Sequence, residues 1–125
     1  MKITLIDTTT ITPSELTQKI ADSQYAIYTL DQDNYEVVED YKRKETFKKR
    51  IFAGVVKQME AKSNVERERM ARTSDEWIEW LSEYVVLEFR YSKYKIERDN
   101  LQRYWETCRT LLTQKRQELQ YLNEG

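Results

Sequence analysis

The sequence predicts an all-α protein: a long antiparallel helical hairpin, coiled-coil-like, with a short helix at its turn, assembling into a homo-oligomer. Three observations predict it. From Trp77 to Leu122 a seam recurs at alternating steps of three and four, through Trp77, Trp80, Tyr84, Leu87, Tyr91, Tyr94, Arg98, Leu101, Trp105, Cys108, Leu112, Lys115, Leu119 and Leu122. Only Arg98 and Lys115 depart from apolar or aromatic character, and a 3.5-residue spacing keeps one helix face against a partner helix over many turns. Two glycines and one proline in 125 residues leave little turn chemistry to divide the chain further. Charged residues make up 34% of the chain and the mean hydropathy is −0.86, which suits long solvated helices; three tryptophans, nine tyrosines and the regular apolar period argue against disorder.

Residues 1–12 read as an N-terminal extension, and residues 13–125 as one helical-hairpin domain. Thr12-Pro13-Ser14-Glu15 opens the first helix, with Thr12 as cap, Pro13 at the first helical position and Glu15 completing a capping box. Leu16, Ile20, Ile27, Leu30, Val37, Tyr41, Phe47, Ile51, Val55 and Met59 carry it to about Lys62, in one piece or in two if Asp31–Asn34 breaks it. Gly54 costs about 1 kcal/mol inside that helix. Ser63-Asn64-Val65-Glu66 and Thr73-Ser74-Asp75-Glu76 both fit capping boxes, which places a short helix and turn over 63–74 and the long heptad helix over 75–122. The two long arms fold back most simply as a hairpin; the alternative is one nearly continuous rod paired only between chains.

A two-helix hairpin encloses little core, and the long helix carries further apolar residues beside its seam, among them Ile78, Leu81 and Val85. Such surface predicts self-association. The expected oligomer interface is Trp77, Trp80, Tyr84, Leu87, Tyr91, Tyr94, Leu101, Trp105 and Leu112. The aromatic members serve either as packed core or as platforms for nucleic-acid bases.

The chemistry of catalysis is thin. Histidine is absent, and no glycine-rich phosphate loop, nucleophile elbow or zinc spacing occurs. Asp31-Gln32-Asp33-Asn34 resembles the start of a calcium loop, but Glu36 stands where glycine is required and Lys42 where the bidentate glutamate belongs, so the stretch reads as an exposed acidic segment. Cys108 lies on the seam and reads as a small buried hydrophobe. No enzyme activity, cofactor or metal is expected. No stretch reaches the ~20 apolar residues of a membrane span and no signal sequence is evident, so the expected location is the cytoplasm.

Charge is strongly segregated beneath a net −1. Residues 1–41 balance at −6, residues 42–72 at +7 and residues 73–125 at −2. Folding the arms about residues 63–74 sets Lys57 near residue 89 and Lys42 near residue 104. Lys42, Arg43, Lys44, Lys48, Lys49, Arg50 and Lys57 would then lie level with Arg90, Lys93, Lys95, Arg98 and Arg103, an uncompensated basic belt suited to a polyanion. The alternative is a solvated face, or pairing with acids of neighbouring subunits.

The stretch Lys93 to Leu112, with Leu101-Gln102-Arg103-Tyr104-Trp105 and Leu111-Leu112, resembles recombination mediators of the UvsY type from tailed phages. The turn residues Val65-Glu66-Arg67-Glu68, with Ala71 and Ser74, look like a pattern of small phage coiled-coil proteins. The resemblance implies a ring-like homo-oligomer in the host cytoplasm that binds single-stranded DNA, contacts a recombinase and a single-strand-binding protein, and helps load the recombinase. The competing expectation is a protein–protein interaction module, such as a phage inhibitor of a host factor or a scaffold protein, with no nucleic-acid binding.

Overall fold

Short polar residues set where the helices begin. In the computed structural model, which describes residues 1–124, these starts yield four α-helices and no strand among those residues: α1 (Pro13–Asp33), α2 (Tyr35–Gln58), α3 (Asn64–Arg72) and α4 (Asp75–Glu124). Thr12 Oγ1 accepts from the Glu15 amide at 3.1 Å and Ser63 Oγ from the Glu66 amide at 3.2 Å, satisfying donors that a helix N-terminus leaves open. The start of α4 differs by one residue from the expected box. Ser74, not Thr73, accepts from the Trp77 amide at 3.3 Å, while the Thr73 hydroxyl donates to Met70 at the end of α3.

The first arm is two helices. Asn34, at φ −110° and ψ 8°, separates α1 from α2. Asp31, Asp33 and Asn34 offer the backbone local alternatives to helix, which makes 31–34 the weakest stretch of the arm. The expected run to Lys62 also stops early, at Gln58, because Met59 turns extended (ψ 133°). That turn brings Met59 onto the cluster formed by Val55, Ala71 and Trp77.

The chain divides into two compact units, residues 1–33 with 94–125 and residues 34–93, where the sequence suggested one hairpin domain behind an extension. In the first, α1 runs antiparallel to the C-terminal part of α4, with Leu16 in one cluster with Cys108 and Leu112, and Asp31 against Arg98. Of residues 1–12, Ile11 is buried in this core and Ile6 packs against it. Ser23 is fully buried and donates to the Lys19 and Ile20 carbonyls, so its hydroxyl needs no partner outside α1. Burial raises the Cys108 thiol pKa, with Lys19 opposing, which fits a packing role for this cysteine.

In the second unit α2 runs antiparallel to the start of α4, with Phe52 against Trp77 and Tyr41 against Tyr84 and Tyr91. The α3 helix closes its end through Ala71, and Arg67 Nε donates to the Ala61 carbonyl at 2.9 Å to fix the preceding loop. Gly54 lies in α2 with nothing within 4 Å of where a Cβ would stand. Glycine therefore serves no close approach there. Gly54→Ala is expected to stabilise the protein by about 0.5–1 kcal/mol, read as a rise in the denaturation midpoint at unchanged m value.

Candidate nucleic-acid interface

The expected belt depends on register, and the register differs. Phe52 packs on Trp77, Tyr41 on Tyr84 and Lys44 on Glu83, so Lys57 does not lie opposite residue 89. Relative to expectation the pairing is displaced by about five helical turns. The cause is the turn: α2 ends at Gln58, and Val55, Ala71 and Trp77 close into one cluster, drawing the start of α4 directly against the end of α2. The α2 cations consequently lie level with the acidic opening of α4 and not with Arg90–Arg103, and of them Lys44 and Lys48 face it.

Within the second unit the α2 cations fall into two groups. Lys44 Nζ pairs with Glu83 at 2.8 Å and stands 5.1 Å from the Trp80 ring centroid; Lys48 Nζ stands 4.7 Å over Tyr84. Both are half-buried and engaged with the chain itself. Arg43 reaches only the adjacent Asp40, at 3.7 Å on an exposed face, a contact worth little. Lys42, Lys49, Arg50 and Lys57 are exposed, and no carboxylate among the described residues lies within 4.0 Å of them. At 3.6 residues per turn, Lys42, Lys49, Arg50 and Lys57 share an arc of about 100° on the side of α2 away from α4. No acid falls in that arc between Lys42 and Lys57. Phe47, 42% exposed, lies beside this stripe, with the Arg50 guanidinium 6.0 Å from its ring. Arg90 and Lys93 of the same unit are also exposed, on α4.

In the first unit Lys95 and Arg103 are exposed, but Arg98 is not a free cation. Arg98 Nε donates to Asp31 Oδ1 at 2.9 Å, and the Tyr94 hydroxyl donates to the same oxygen at 2.5 Å. Burial alone would raise the Asp31 carboxyl pKa, but these two hydrogen bonds and the Arg98 charge outweigh it and hold the carboxyl below its usual value. The sequence reading placed Asp31 in an exposed acidic segment and Arg98 in the belt. A usable signal was present: Arg98 interrupts an apolar seam, and a charge there requires an acid on the helix it meets.

The residues expected between chains are covered within the chain. Trp77, Tyr84, Leu101 and Leu112 are buried, and Trp80, Leu87, Tyr91, Tyr94 and Trp105 are half-buried. In the second unit Tyr91, Tyr41, Tyr84, Trp80, Trp77 and Phe52 form a continuous aromatic series with centroids 4.4 to 5.8 Å apart. Packed against one another and capped by Lys44 and Lys48, these rings act as core. On the part of α4 in the second unit the exposed apolar side chains lie elsewhere, at Ile78, Val85, Val86 and Phe89.

The described residues contain no cluster of three or more potential metal ligands, and no helix is long and apolar enough to cross a membrane. No known family model, curated protein or solved structure matches the chain.

Two titration outcomes follow from the polar contacts. Asp31 is depressed in the folded state, so its contribution is present above about pH 3.9 and is lost as pH falls through the lower folded value. Tyr41 is raised by its hydrogen bond to Tyr84, then by burial and Glu45; Tyr84 and Tyr94 are raised first by burial. The folded chain thus keeps phenolic protons that the unfolded chain releases, and stability should fall as pH rises from about 10 through the folded values. Thermal unfolding followed by circular dichroism from pH 2 to 12, with tyrosinate absorbance recorded in parallel, measures both limbs. Asp31→Asn should cost about 1 kcal/mol, after allowing for the pair's partial exposure, and Arg98→Met added to it should recover most of that loss.

Proposed function

We propose that this protein is a non-enzymatic helical accessory protein: a long helical hairpin that assembles into a homo-oligomer and binds single-stranded DNA. The single observation that carries the reading is the acid-free cationic stripe of α2, formed by exposed Lys42, Lys49, Arg50 and Lys57. Unpaired cations on a rigid helix face neutralise phosphates without reading sequence, and their affinity derives from counterion release. Phe47 beside the stripe offers a ring for a base, and such stacking contributes about 1–3 kcal/mol per base. Oligomerisation would multiply the stripe. By the resemblance to UvsY-type mediators, the task would be to present the strand in the cytoplasm so that a recombinase can load, in contact with a single-strand-binding protein.

This reading narrows the original belt. Lys44, Lys48 and Arg98 are engaged within the chain and contribute at most background potential. Lys42, Arg43, Lys49, Arg50 and Lys57 remain on α2, with Arg90, Lys93, Lys95 and Arg103 as secondary contacts. One observation favours the second reading, a protein–protein module without nucleic acid: the exposed apolar face of α4 is better suited to another helix than to a phosphate backbone.

Binding of a labelled oligothymidylate across a salt series separates the two readings. The expected outcome is measurable affinity at low salt, with log K falling against log salt at a slope of roughly −3 for four phosphate contacts. The double variant Lys49→Glu, Arg50→Glu should lower affinity at least about tenfold and flatten the slope by about 1 to 1.5 at unchanged helix content. Absence of binding at low salt overturns the nucleic-acid reading in favour of the protein–protein module.

A further inference from the structure

The α4 helix carries a second seam that the chain does not cover. Ile78, Ser82, Val85 and Phe89 follow one another at steps of four, three and four. At 3.6 residues per turn they fall within an arc of about 60°, centred about 150° from the buried face defined by Trp77, Trp80, Tyr84, Leu87 and Tyr91. Exposure confirms the two-sidedness: Trp77 is 8% and Tyr84 7% accessible, whereas Ile78 is 48%, Val85 55% and Phe89 71%. Val86, half accessible, borders the stripe. Three large apolar side chains at heptad spacing, all exposed on one helix face, are costly in water unless another helix covers them.

The charges beside the stripe indicate what covers it. From Asp75 to Glu88 the helix holds Asp75, Glu76, Glu79, Glu83 and Glu88 and no base; Arg90 and Lys93 follow directly. A second copy of α4 in parallel register would set acid against acid. An antiparallel copy reverses this. With a two-fold axis between Val85 and Val86, residues equally distant on either side face each other across the pair. Ser82, the smallest member of the stripe, then lies against Phe89, the largest, and Val85 meets Val86. Lys93 of one copy comes level with Ile78 of the other, on the side of the stripe that also carries Asp75 and Glu79. Both acids are exposed and make no ion pair among the described residues.

We infer that α4 forms an isologous antiparallel helix pair with a second copy of this chain through Ile78, Ser82, Val85 and Phe89, flanked by Asp75 and Glu79 against Lys93 of the second copy. The inference rests on the homo-oligomer reading above and supplies its surface, which is not the aromatic seam. An isologous patch satisfies itself in one closed contact, so this face gives dimers, and any larger assembly requires a further surface. In the pair Lys93 is taken up by these acids, so the secondary nucleic-acid contacts on α4 reduce to Arg90, Lys95 and Arg103.

Sedimentation of the full chain over a concentration series tests the proposal. The wild type is expected to dimerise. Val85→Glu and Phe89→Glu, at positions exposed within the chain, should raise the dimer dissociation constant at least about tenfold while helix content stays unchanged, because each buries an unpaired carboxylate in the contact. Lys93→Glu should also weaken the dimer, and Lys93→Glu combined with Glu79→Lys should restore it, since the swapped charges again oppose. A Val85→Cys variant should form a disulfide-linked dimer across the two-fold axis under mild oxidation. A wild type that stays monomeric at high concentration overturns both this inference and the homo-oligomer reading. A wild type that associates while the Val85, Phe89 and Lys93 variants associate equally well overturns this surface alone.

Discussion

Both compact units are built on α4, and the constraint on everything else is the apolar seam of that helix. Between Trp77 and Leu112 every position at three- and four-residue steps is buried or half-buried, including the charged Arg98. A seam of this kind must be covered along its length, because a large apolar side chain left in water forgoes roughly 1.5–3 kcal/mol. The α1 helix covers it in the first unit and α2 in the second, and the two earlier helices inherit their own apolar spacing from that need. The different partners show in the cores. Leu16 and Cys108 pack aliphatic against small in the first unit, whereas the second stacks six aromatic rings in series.

Which residues meet across a seam is a separate question from where the seam runs. Apolar residues that repeat every seven positions can slide by a heptad and still bury one another, so they specify register weakly. Polar contacts break that degeneracy. Asp31 accepts from both Arg98 and Tyr94, and Lys44 reaches Glu83; a slide by one heptad would take Arg98 away from Asp31 and leave its charge unpaired. The half-buried ion pair on the seam therefore acts chiefly as a register device, and its contribution to stability is secondary.

This distinction explains what could be read from the sequence. The α4 seam, its starting residue, the Thr12 and Ser63 caps and the helical class were legible because each is written in local spacing. The break at Asn34 was legible as a weak point but not as an outcome, since tertiary packing decides whether a poor helix former is tolerated. The stopping point of α2 was not legible: Met59 leaves the helix to join Val55, Ala71 and Trp77, a cluster assembled from residues far apart in sequence. From that missed turn came the displaced register, and from the register the basic belt that joined α2 to Arg90–Arg103.

Correcting the register changes what the charge segregation accomplishes. In the expected arrangement like charges meet, and the protein stores an electrostatic cost that a polyanion would relieve. In the structure the acidic opening of α4 lies along α2, so Lys44 and Lys48 are absorbed into the packing and the near side of α2 is neutralised. The far side is not. Lys42, Lys49, Arg50 and Lys57 extend beyond reach of those acids, while Asp75 and Glu79 remain exposed with no ion pair among the described residues. A helix pair that had only to balance its own charge would have brought such groups together. Instead cations remain on one helix and acids on the other, each on a face turned outward. The acids flank an apolar stripe, which favours a helix bearing its own cations; the cations flank a single exposed ring, which favours an anion with a flat face. An antiparallel second copy of α4 would cover the first of these surfaces and would leave the second open.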